Sequence, residues 1–154
     1  MSRQTKRCIK FGSFILLTLY IAVLIYVCFF SEDYGRDVIT SYYRYNLIPF
    51  KEIRRFYIYR DVVGIRAFLA NLFGNVLAFM PYGFFMPILR PKLRRMNQMF
   101  LAAFLLSLTI EITQLLTRVG SFDVDDLILN TAGGIAGYLL FYIMNKIRSK
   151  WDGA

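Results

Sequence analysis

From Phe11 to Phe30 the chain runs twenty residues without a charge. At 1.5 Å of rise per residue, a helix of that length is about 30 Å long, the thickness of a bilayer's hydrocarbon core. No other feature restricts the fold so strongly, because in hydrocarbon every backbone N–H and C=O must find its partner inside the protein, and a helix provides those partners within one segment. The cations that precede the run, Arg3, Lys6, Arg7 and Lys10, suit an anchor at the lipid headgroups. A cleaved signal peptide is the rival reading, but it requires a shorter run followed by a small-residue cleavage site. Here the run ends in Phe29 and Phe30.

Three more apolar segments, Ala67 to Leu89, Met99 to Leu116 and Leu127 to Met144, are each about eighteen residues or longer and long enough to span, with tilt or local thinning of the bilayer. The expected fold is therefore all-α: a polytopic membrane protein, a four-transmembrane-helix bundle, with an interfacial helix or loop between helices 1 and 2. The expected organisation is a basic N-terminus over residues 1–10, one transmembrane domain over 11–145 and a tail over 146–154. Composition agrees, at 57% hydrophobic and 18% aromatic residues, far above an ordinary soluble domain. The net charge of +9 raises nucleic acid as a partner, but the cations cluster at the ends of apolar runs, which reads as membrane anchoring. Pro81 and Pro87, with Gly83 between them, predict a kink near Met80 to Gly83. Met96 to Gln98 is expected to be a short boundary before the third span. Cys8 and Cys28, twenty residues apart on one helix, lie about 30 Å from each other and cannot pair within the chain.

With the N-terminus in the cytoplasm, eleven Lys and Arg fall inside and eight outside. The bias is clearest in the short loops, where the positive-inside rule has most force, so both termini are expected to be cytoplasmic. The first outer loop, Ser31 to Arg66, is long. Within it Ile53, Phe56 and Tyr57 interleave with Lys51, Arg54, Arg55 and Arg60, the pattern of a short helix lying in the interface. Such a helix can simply seal the bundle. Its arginines also suit phosphate or carboxylate groups, which a guanidinium grips through paired hydrogen bonds.

On this topology the polar residues of three spans fall at one depth, in the outer third of the membrane. Asn71 and Asn75 share a face of the second helix. Glu111, Gln114 and Arg118 form a stripe in the last turns of the third. Asp123 and Asp126 open the fourth, with Asn130 one turn further in. A carboxylate such as Glu111 costs roughly 2.5 kcal/mol or more inside a span, so it should face the bundle or water and find a partner; Arg118, Asn71 and Asn75 are the candidates. Plainer roles exist for each residue. Asp123 with Asp126 three residues on resembles an N-cap and its capping-box acid, and Asp125 adds favourable charge to a helix N-terminus. Asn71, Asn75, Gln114 and Asn130 can hold helices together, and Gly133-x-x-x-Gly137, with Gly134, permits close helix approach.

The chain has no histidine, which excludes Ser-His hydrolysis, His-ligated zinc and imidazole relays. Glu111 can act as a general base if burial raises its pKa. Asp123, Asp125 and Asp126 have the chemistry for a hard cation, though clustered acids alone signal a metal weakly. No cofactor is called for, and no nucleophile motif stands out. Three function classes remain: a protein that binds a headgroup or a peptide carboxylate, an enzyme acting on a lipid-linked envelope molecule, and a small transporter, which would need at least a dimer or a small substrate.

Four segments, "NLIPF" at Asn46 to Phe50, "NLFGNVLAFMPYGFFMP" at Asn71 to Pro87, "SLTIEITQ" at Ser107 to Gln114 and "GSFDVDDLILNTAGGIAG" at Gly120 to Gly137, resemble in order the motifs of the VanZ-like family. The family's positions carry onto Asn71, Asn75, Pro81, Gly83, Glu111, Gln114, Asp123, Asp126, Asn130 and Gly133. Asp125 and Arg118 stand outside that pattern. The resemblance implies a small bacterial cell-membrane protein and reduced susceptibility to teicoplanin, a glycopeptide that binds D-Ala-D-Ala termini. The partners it implies are membrane lipids and a cell-wall precursor or glycopeptide; a homo-oligomer is compatible with it. Glu111 and Asp126 are then the expected electrostatic centre of an outer pocket shaped by Asn71, Asn75, Gln114 and Asn130, with Asp123 and Arg118 beside it.

Overall fold

A computed structural model describes residues 2–30, 43–59 and 65–152, and among these the side chains other than those of 65–68, 70, 71 and 150–152. Much of the long first loop, Arg60 included, lies outside the described residues.

Five helices make up nearly all of the described chain: α1 Arg3–Phe30, α2 Lys51–Ile58, α3 Ile65–Leu89, α4 Met96–Thr117 and α5 Val124–Asp152. Four of them are long and apolar enough to cross a membrane, and α2 is the short amphipathic helix expected between the first two. The protein is an all-α, multi-pass membrane protein. Its helices are longer than the apolar runs that announced them. α1 begins at Arg3 and α5 continues to Asp152, because a helix that has left the hydrocarbon keeps its hydrogen bonds and has no reason to stop at the headgroups. For the same reason Met96 to Gln98 is the first turn of α4 and not a boundary loop. The preceding segment, Pro91–Arg94, forms a 3-10 turn with proline at its start, where the missing N–H costs nothing. α3 carries Pro81 and Pro87 in its interior and is assigned as one helix through both.

Glycine sets the packing of α3 on α5. A Cβ at Gly83 would sit 1.8 Å from the Gly134 carbonyl oxygen, one at Gly133 would be 2.2 Å from that of Val76, and one at Gly137 would be 1.9 Å from that of Met80. Here the backbones themselves touch, so the Gly133-x-x-x-Gly137 motif does what its spacing suggested. Gly134 also faces α4, where an added Cβ would meet that of Ala103 at 2.5 Å. Around this seam Phe79, Met99, Ala103, Tyr138 and Phe141 form the buried apolar core. α1 packs on α3, and the Tyr20 hydroxyl donates 2.6 Å to the Ala78 carbonyl. Phe11, Phe14, Leu19 and Val23 on α1 are exposed, as a lipid-facing helix requires.

Candidate functional site

Two residues of backbone that no periodicity announced organise the polar end of the bundle. Tyr45–Asn46 pairs in parallel with Phe122–Asp123, with Asn46 opposite Asp123, and the Phe122 N–H bonds the Arg44 carbonyl at 3.1 Å. The pairing carries the loop before α2 to the N-terminus of α5. Asn46 is buried there. Its Nδ2 donates to Asp123 Oδ1 at 3.1 Å, and its own Oδ1 accepts the Ile48 N–H at 3.2 Å, a local turn typical of asparagine.

α5 starts at Val124, so Asp123 is its N-cap, as expected, and its Oδ1 accepts the Asp125 N–H at 2.8 Å. The capping box is completed differently from expectation. The Asp123 N–H goes to Oε2 of Glu111 at 2.9 Å, so an acid from the end of α4 accepts the bond that a box would assign to Asp126. Asp126 instead accepts from Nδ2 of Asn75 on α3. Burial pushes the Asp123 carboxyl above the ordinary carboxylate range, the neighbouring Asp125 charge acts in the same direction, and the hydrogen bonds from Asp125 N–H and Asn46 oppose it, with Arg55.

Asp125 is the residue that sequence reasoning undervalued. It is 1% exposed, and its carboxylate faces the start of α2. There it accepts the N–H groups of Phe50, Glu52 at 2.8 Å and Ile53 at 3.2 Å. The first turn of any helix leaves N–H groups without intrahelical acceptors. An acid on another helix supplies them here, and its negative charge lies where the α2 dipole favours it. Phe50, at the N-cap of α2, adopts a left-handed φ of 62°. That conformation costs a non-glycine residue roughly 1–2 kcal/mol, and the charge-assisted hydrogen bonds offset it. The only signal in the sequence was an excess: three acids in four residues are more than one N-cap needs.

Glu111 is 2% exposed and Gln114 6%, so neither points into lipid. They diverge, however. Gln114 turns toward α1, donating from Nε2 to the Cys28 carbonyl at 3.0 Å, while Glu111 faces α5. Asn130 is buried one turn inside Asp126 and donates to Oγ of Ser107 on α4 at 3.0 Å. Its Oδ1 is buried without a hydrogen-bond partner among the described residues. Ser107, fully buried, is a second residue the sequence reading passed over, although it stands one turn from Glu111 on the same face. Arg118, one candidate partner of Glu111, turns toward Tyr43. Arg118 closes α4 in a left-handed conformation, φ 58°, and its guanidinium lies 4.7 Å over the Tyr43 ring. A left-handed C-cap swings the side chain off the helical stripe, so the i to i+7 relation no longer applies. Asn71 lies on α3 one turn before Asn75, and its side chain falls outside the described residues.

The structure thus brings Glu111, Asp123, Asp126, Asn75 and Asn130 into one layer, Asp126 and Asn75 half-buried and the others buried, with Asn46, Asp125 and Ser107 added and Gln114 and Arg118 at its edges. Asp123, Asp125 and Asp126 send their carboxylates in different directions, to Asn46, α2 and Asn75. No group of three metal-ligating side chains forms among the described residues. Above the layer, α2 presents Lys51, Arg54 and Arg55 around a crevice of about 520 Å³ that Ile48, Pro49, Phe50 and Ile58 also line. Arg55 is bridged to Glu52 at 2.6 Å.

Comparison with known proteins decides the family. The model of the VanZ/LLP1 family matches residues 17–145, and Protein VanZ of Enterococcus faecium is 30% identical over 133 residues, 85% of this chain and 74% of that protein. The chain belongs to the VanZ/LLP1 family. No solved structure matches it. The matched region of the VanZ/LLP1 family includes every element described above except the first turns of α1 and the last of α5, so the parallel pair, the Asp125 contacts and the glycine seam all lie within it.

Proposed function

We propose that this chain lowers susceptibility to teicoplanin-type glycopeptides, and that it does so from the α2 end of the bundle by engaging a cell-envelope lipid, a cell-wall precursor or the drug. In this reading both termini are cytoplasmic and α2 lies at the outer face. The glycopeptide role rests on membership of the VanZ/LLP1 family. The place of action rests on one observation: a buried carboxylate, Asp125, fastens α2 to the bundle at three backbone N–H groups. A helix that served only as a flexible seal would have no need of so costly a buried charge. Fastening α2 fixes Lys51 and Arg54 beside an apolar crevice, an arrangement that favours an amphiphilic partner bearing phosphate or carboxylate. Glu111 and Asp126 are the electrostatic centre of the layer beneath, and Asn75 and Asn130 shape it.

The decisive test compares Glu111→Gln and Asp126→Asn with the wild type at matched membrane abundance, reading the teicoplanin concentration that arrests growth. Loss of protection in both supports the reading; full protection in both rejects a role for the layer. Mass spectrometry of envelope lipids and precursors, with and without expression, separates binding from catalysis: an unchanged profile fits binding, and a new product that requires Glu111 fits an enzyme. Orientation is tested by a cysteine at Gly120 in a chain lacking Cys8 and Cys28. Labelling of intact cells by a membrane-impermeant reagent is the expected result, and labelling only after permeabilisation would invert the topology.

A further inference from the structure

At the opposite end of the bundle, α1, α3 and α5 enclose a second crevice of about 350 Å³, walled by Ile9, Phe84, Ile88 and Phe141 and rimmed by Arg94 and Arg148. Its volume is at the lower end of the roughly 300–1,000 Å³ that small-molecule sites occupy, enough for a segment of one hydrocarbon chain. Ser13 of α1 opens onto it although 94% of the residue is buried, being 6% exposed. The described side-chain charges around it are of one sign. Arg3, Lys6, Arg7 and Lys10 on α1, Arg90, Lys92, Arg94 and Arg95 in the connecting turn, and Lys146 and Arg148 on α5 all belong to this end. Every described acidic side chain, from Glu52 to Asp126, belongs to the other end.

From this juxtaposition we propose that the crevice is a binding site for an anionic phospholipid, one acyl chain lying between Phe84 and Phe141 and the phosphate meeting Arg148 and Arg94 at the rim. Two features favour this occupant. The walls are apolar and aromatic, which suits a chain and not a solvated metabolite. Arg148 is exposed and its Nη2 donates to Asn145 at 2.6 Å, which holds the guanidinium at the rim without neutralising it. Arg94 is likewise positioned, donating from Nε to the Pro87 carbonyl at 3.1 Å and standing 5.8 Å over the Phe141 ring. Among the described side chains, no neighbouring carboxylate competes for either. The site is independent of the α2 end and of the function proposed there.

The test is native mass spectrometry of the purified full-length protein mixed with equal amounts of phosphatidylglycerol and phosphatidylcholine. The wild type is expected to retain phosphatidylglycerol in preference, and Arg148→Gln to lower that retention about tenfold, as loss of a charge-assisted contact implies. Arg148 is exposed, so this variant should fold. Ser13→Phe, which fills the crevice, should lower retention of both lipids. Arg3→Gln, two turns away along α1, should behave as wild type. Equal retention of the two lipids by the wild type would overturn the proposal. So would equal losses in Arg3→Gln and Arg148→Gln, which would mean diffuse attraction of a basic surface.

Discussion

The α2 end of the bundle holds its acids inside, where Glu111, Asp123 and Asp125 are each less than a tenth exposed, whereas the Arg90 to Arg95 end carries its cations on the surface. A charge taken out of water must be compensated by protein groups. The α2 end accordingly spends its carboxylates on backbone N–H groups and amides, and in doing so fixes the positions of a strand, a short helix and three transmembrane helices. An exposed charge needs no partner to be tolerated. The opposite end therefore keeps its cations available for ligands and headgroups. The same side-chain chemistry becomes architecture at one end and a contact surface at the other.

The sharpest way to break this contrast is Asp125→Ala, which leaves the N–H groups of Phe50, Glu52 and Ile53 without their acceptor. A loss of about 3 kcal/mol is expected, from the value of hydrogen bonds to a charged group. Hydrogen exchange should show those three amides losing protection before the transmembrane helices do; unchanged protection would show that α2 does not depend on the clamp. Glu111→Gln comes next. It keeps the shape and one acceptor for the Asp123 N–H but removes the charge, and a loss of about 1–2 kcal/mol is expected, measured by thermal unfolding in detergent together with the loss of teicoplanin protection.

Asp123 sharpens the comparison through pH. Its folded-state pKa is raised above the ordinary 3.8, so its contribution to stability is fully present below that value and is lost as pH rises through the folded pKa. Asn caps a helix about as well as Asp. Asp123→Asn should therefore change stability at low pH by less than about 1 kcal/mol and flatten the decline above pH 3.8; a decline as steep as that of the wild type would assign it to another group. The smallest effect is expected at the other end. Arg3→Gln should alter the melting behaviour by no more than about 0.5 kcal/mol, the usual range for an exposed site, and a larger change would show that this cation is used structurally.

How far residue patterns reach is clear from particular cases. Gly133-x-x-x-Gly137 announced a close helix contact, and the structure supplies the partners, the Val76 and Met80 carbonyls. Asp123 was legible as an N-cap because capping is a relation between a residue and the turn that follows it. Asp125 was not legible as the clamp on α2, nor Glu111 as the acceptor for Asp123 N–H, because both relations join segments far apart or separated by a turn whose path the residues do not specify. Arg118 left the stripe it was expected to share with Glu111 at a single left-handed residue, its own, which ended the helical period.

The sequence by itself determined the solvent and the number of spans, since each follows from the length and spacing of apolar runs against a bilayer of fixed thickness. Only the tertiary structure decided which polar group answers which. A buried carboxylate takes whichever donors its surroundings bring within about 3 Å, and those surroundings are set by where the backbone turns and how closely glycine lets the helices approach.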